Sequence, residues 1–136
     1  MRIPLLFLAL SCCGDDDPEP PPCLTPTFTS IYTERLSKPE FCAADGCHNT
    51  GNAGGQNYTA AKDAVRTTLL ADTIHPVGRT TWPKRVVPGE PDSSFLLVKL
   101  SDPDPPGDRM PLGRPMLQQC DLDAIRSWIT NGALDD

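Results

Sequence analysis

Phe41-Cys42-Ala43-Ala44-Asp45-Gly46-Cys47-His48-Asn49 is the stretch that decides how this chain folds. Two thiols are separated by four residues, and an imidazole follows the second thiol directly. The rest of the chain is poor in core material. Of 136 residues 38% are hydrophobic and 6% aromatic, below the roughly 45–50% apolar content of ordinary domains. Proline (16) and glycine (10) are abundant. This length makes one domain. With so little apolar surface, that domain needs a staple or a bound group to become compact.

Twelve Lys+Arg against eighteen Asp+Glu give a net charge of −6, which argues against a nucleic-acid binder. No stretch reaches the roughly 18 apolar residues of a membrane helix. Residues 1–11 place one positive charge before a short apolar run, the pattern of a secretory signal. Leu8-Ala9-Leu10-Ser11-Cys12 resembles a bacterial lipobox, in which signal cleavage exposes a cysteine for acylation. Cys12 is the expected lipid carrier, with Cys13 the alternative and a plain secreted protein the bland reading. The acidic, proline-rich segment 14–22 completes a tether over residues 12–22. Its nine residues at about 3.1 Å each would span roughly 28 Å. The domain proper is expected over 23–136.

Within that domain the periodicity is helical. Phe28, Ile31, Tyr32 and Leu36 predict a helix over 27–37, stopped by Pro39. Residues 42–57 read as a loop wrapped round something. Ala61, Ala64, Val65 and Leu69 predict a helix over 58–70, with Asn57 or Thr59 as its cap. Residues 72–91 and 101–116 are too rich in proline for regular structure. A short helix is expected over 93–100, capped by Asp92 or Ser93. Leu122, Ile125, Trp128 and Ile129 predict a last helix beginning near Cys120 and ended by Asn131-Gly132. Asp121 and Asp123 fall in its first turn, where negative charge suits the helix dipole. No strand pair or repeat is visible. The expected fold is all-α: three or four short helices joined by long Pro/Gly-rich loops. Loops of that length need something to order them.

Two thiols with a histidine immediately after the second suit a c-type haem. The thiols bond to the porphyrin and the imidazole is held at the iron. The usual motif has two residues between the cysteines. Here two of the four must bulge outward, and Gly46 makes the bend easier because it tolerates positive φ. Two other readings stay open. Cys42 and Cys47 could form a disulfide in a haem-free domain, or they could join His48 and another ligand round a bare metal ion.

Phe41-Cys42 and Gly46-Cys47-His48-Asn49 are followed by Arg85-Val86-Val87-Pro88-Gly89 and Ser94-Phe95-Leu96. Next come Arg109-Met110-Pro111-Leu112-Gly113 and Ile125-Arg126-Ser127-Trp128-Ile129 with Asn131-Gly132-Ala133. In this order the chain resembles the class I mono-haem cytochromes c, and more closely the cytochrome-c-like lipoproteins of myxobacteria and planctomycetes, over residues 26–134. The resemblance implies haem c covalently held by Cys42 and Cys47, with His48 and Met110 as the axial ligands of its iron. Met110 also stands in a stiff loop that offers a core methionine little helix to belong to. Met116 and His75 are the competing sixth ligands. Arg85, Trp82 and Arg109 are candidate partners for the haem propionates. Phe28, Tyr32, Trp82, Phe95, Leu96, Leu100, Leu117 and Trp128 are expected to pack around the haem, with the first and last helices on one side of it.

Cys23 and Cys120 remain. In an exported protein two leftover thiols usually pair, and a disulfide between them would join the first and last helices. The expected function is electron transfer on a membrane-tethered, periplasm-facing monomer, a carrier rather than an enzyme. Its expected partner is a redox protein with a basic docking face. No Ser-His-Asp set, phosphate loop or catalytic carboxylate pair stands out. The rival is a haem-free, disulfide-stapled lipoprotein module for binding or envelope structure.

Overall fold

The computed structural model of the chain describes residues 19–49, 53–71, 81–82 and 84–136. The signal segment, Cys12, Cys13 and His75 lie outside the described residues.

The fold is all-α, and among the described residues no strand forms. Helix α1, Phe28–Ile31, runs on into a π-helical turn, Tyr32–Leu36. Helix α2 is Lys62–Leu70, α3 is Phe95–Ser101 and α4 is Gln119–Thr130. Thr27 caps α1, its side chain accepting from the Ser30 amide. The expected helix over 27–37 is therefore present, with its second half widened to i→i+5 bonding. The Ser37 amide donates to the Tyr32 carbonyl at 2.9 Å, and both Arg35 and Leu36 are buried.

Two caps differ from expectation. Helix α2 begins at Lys62 because Asn57 forms its own turn. Its Oδ1 accepts from the amide and the hydroxyl of Thr59, so neither residue caps the helix. Ala61 and Ala64 face outward, and the inner stripe is Val65 and Leu69. Helix α3 is flanked by Ser94, not by Asp92 or Ser93. The fully buried Ser94 hydroxyl accepts from the Val87 amide and donates to the Glu90 carbonyl, so it ties the 87–90 turn to the helix start.

Helix α4 buries all four residues of the expected stripe. Its end comes where Asn131-Gly132 predicts it. Gly132 takes φ +98°, a left-handed conformation that glycine adopts without cost. The Trp128 ring stacks on Phe28 at 5.1 Å between centroids, and both are fully buried. This pair joins α1 to α4 and forms the centre of the core.

Beside it stand two further links. Cys23 and Cys120 are disulfide-bonded, 97 residues apart in sequence. Arg35 makes a buried ion pair with Asp121, Nε to Oδ2 at 2.7 Å and Nη2 to Oδ1 at 3.1 Å. Asp121 thus does more than complement the helix dipole. Its carboxylate also accepts from the Leu24 amide at 3.0 Å. Arg35 donates in addition to the carbonyls of Glu34 and Pro22, and Gln118 reaches the Pro21 carbonyl. The last residues of the expected tether are therefore fastened to the domain.

Candidate functional site

Residues 38–49 leave the π turn as a compact loop. The Lys38 carbonyl accepts from the amides of Phe41, Cys42 and Ala43 at 3.0–3.1 Å. The Cys47 amide returns to the Ala44 carbonyl at 3.0 Å, and Gly46 makes the bend between them with φ +77°. This is the bulge that four intervening residues require. The His48 amide then donates to the Cys42 carbonyl at 3.4 Å, and the Tyr58 amide to the His48 carbonyl at 2.6 Å. The loop is held from both ends, with its three reactive side chains on one side.

That side is a mostly apolar cavity of about 310 Å³. Cys42, Cys47 and His48 line it from the loop; Phe95, Leu96 and Leu100 from α3; and Met110 from the 102–116 segment. The four residues expected to hold a haem and its iron are thus brought to one cavity. Cys42 and Cys47 are free thiols. Among the described residues no three His, Cys, Asp or Glu side chains group closely enough to hold a metal ion.

Electrostatics follow burial. Desolvation pushes the Cys42 thiol up to about 12, the neighbouring Cys47 adds to the rise, and Arg114 and Arg35 oppose it. Burial likewise holds His48 below the ordinary imidazole range. The backbone at Ala53 and Gln56 favours its proton, and Arg85 and Lys99 disfavour it. The ring is therefore neutral at pH 7, with a lone pair to give. Its Nδ1 is buried, and among the described residues no group closes a hydrogen bond of normal geometry on it. The Tyr58 ring lies 4.9 Å away, tilted by 44°.

Cationic side chains also line the cavity. Arg85 is one of the three expected propionate partners; its Nη2 donates to the Gly54 carbonyl at 2.9 Å. The other two stand elsewhere. Trp82 stacks on the Phe95 ring at 5.7 Å, outside the lining. Arg109 turns along its own loop, donating to the Arg114 and Met110 carbonyls. Lys99 and Arg114 also line the cavity, and neither is among the expected propionate partners. The signal that could have found Lys99 was its position one turn past Phe95, as the one charged residue of a mostly apolar helix.

No known protein family, curated protein or solved structure matches the chain.

Several expected neighbours of a haem are not at the cavity. Phe28 and Trp128 stack on each other in the core, Tyr32 donates from its hydroxyl to the Ala60 carbonyl, and Leu117 lines a separate hollow between α3 and α4. Met116 lines that second hollow, not the first, and is 43% exposed.

Proposed function

We propose that the chain is an electron-transfer protein that holds one c-type haem in the cavity between the 38–49 loop, α3 and Met110. The observation that carries this reading is the donor set. Two free thiols, a neutral imidazole with an unpartnered buried nitrogen, and a thioether line one apolar cavity. Such donors fit a covalently held haem: Cys42 and Cys47 would bond its edge, and His48 and Met110 would take its axial positions. When bound, the haem supplies a one-electron couple, and a thioether ligand raises its potential.

The chain's own residues do the rest. His48 needs to shed no proton to ligate. Phe95, Leu96 and Leu100 exclude water, which favours the less charged oxidation state of whatever they enclose. Arg85 and Arg114 supply positive charge for carboxylates at the cavity rim. With His48 and Met110 both serving to hold the group, the reading is a carrier and not a catalyst. The lipobox-like start and Cys12 supply an envelope anchor, and the net charge of −6 favours a redox partner with a basic face. In the haem-free alternative Cys42 and Cys47 form a bridge, whereas here both are free.

The test is direct. The chain is exported from a host with working cytochrome c maturation and run on a denaturing gel stained for haem peroxidase. A stained band, a dithionite difference spectrum and an intact mass increased by one haem are expected. The oxidised protein shows the weak red-edge absorption of iron–methionine ligation, and Met110→Ala abolishes it. A colourless, unstained band refutes the proposal.

A further inference from the structure

Lys99 fastens the Met110 segment from two sides. Its backbone carbonyl, in the last turns of α3, accepts from the Met110 amide at 2.8 Å. Its ammonium donates to the Pro106 carbonyl at 3.1 Å and to the Asp108 carbonyl. One residue thus holds positions 106, 108 and 110 of a segment that forms no helix or strand. The ammonium is partly withdrawn from water, lies 5.7 Å from the Phe95 ring centroid and lines the same cavity as the Met110 side chain. The segment's other ties lie beyond this stretch or within it: Arg114 donates to the Pro39 carbonyl and Arg109 to the Arg114 carbonyl.

We propose that Lys99 is the positioning residue for Met110, bracketing residues 106–110 so that the thioether faces the cavity. This rests on the reading of Met110 as an axial ligand and adds to it the group that keeps it there. An ammonium can satisfy two carbonyls at once, which an apolar side chain of equal length cannot. Hydrogen bonds to charged groups are among the stronger ones, so their loss frees the segment measurably.

The experiment uses the exported full chain and compares Lys99→Met, Lys99→Gln and Lys99→Arg with the parent. In Lys99→Met the red-edge methionine band is lost or strongly weakened, while the haem stain and mass are unchanged. Amide hydrogen exchange at Met110 speeds up by at least about tenfold. Lys99→Arg, which keeps the charge and the donors, restores both. Lys99→Gln, whose uncharged amide nitrogen stands one atom short of the ammonium and cannot reach both carbonyls, gives the same readings should the Met variant fold poorly. A haem-loaded Lys99→Met that keeps its band and its Met110 protection overturns this inference and leaves the haem reading intact. A parent chain that acquires no haem overturns the ligand reading, and this inference with it.

Discussion

Around Cys120 the buried polar groups meet one another: Arg35 spends its donors on Asp121, Glu34 and Pro22, and Asp121 also accepts from Leu24. Around Cys47 they do not. Two thiols stay free, and His48 Nδ1 is, among the described residues, the one buried side-chain nitrogen or oxygen with no partner. The two regions are joined through Arg35, whose guanidinium carbon lies 4.7 Å above the Phe41 ring, next to Cys42. A native interior leaves few polar groups unpaired, so the contrast separates a region whose polar groups meet one another from one where, on the proposed reading, a bound group would meet them. It also explains how a chain short of apolar residues folds at all: covalent and ionic links hold α1 to α4, and the core there can be small.

Breaking the first region should produce the largest effects. Replacing Cys23 and Cys120 by serine frees a loop of 97 residues' separation. In the chain-entropy account such a link contributes about 4–5 kcal/mol. The urea midpoint of the haem-free chain should fall accordingly, to the point of partial unfolding in buffer, because small domains have little more than this in reserve. Only a small shift would mean that the helices stay docked without their covalent link.

The ion pair comes next. With side chains only 4% and 1% exposed, Arg35→Met strands a buried carboxylate, and breaking such a pair costs about 3–5 kcal/mol. Arg35→Met combined with Asp121→Leu should recover much of that loss, since an apolar pair of similar size often serves as well. A double variant no better than the single one would show that the bonds to Leu24 and Pro22, not the pair itself, hold the N-terminal segment.

The helices were legible in the sequence because each carries a local period. Leu122, Ile125, Trp128 and Ile129 are the clearest case, and all are buried. Cys42, Cys47, His48 and Met110 were legible as residue types, and the structure brings them to one cavity. What stayed hidden depended on partners far away in sequence. Asp121 reads locally as a helix-start acid, and only Arg35, 86 residues away, makes it a buried ion pair. Trp82 and Arg109 read as plausible carboxylate partners, yet an aromatic neighbour and a loop carbonyl claim them. Ser94 carries no local sign of its place at the start of α3, because its hydroxyl bonds a turn seven residues earlier.

The smallest expected effect sharpens the second region. In the haem-free full chain Cys47 is half-buried and Cys42 is buried, its thiol pushed up to about 12. The thiolate is the reactive form. Raising a thiol's pKa lowers its thiolate fraction at every pH below that value. At pH 8 iodoacetamide should therefore modify Cys47 at least about ten times faster than Cys42, and the rate at Cys42 should still be climbing at pH 10. Equal rates would mean that the loop opens freely and that the contrast between the two regions is one of mobility instead of missing partners. Resistance of both sulfurs until a reductant is added would mean that they are bridged to each other, as in the haem-free module. Resistance that persists after unfolding and reduction is expected only when each sulfur is bonded to a second carbon, which is the state proposed above for the haem-loaded protein.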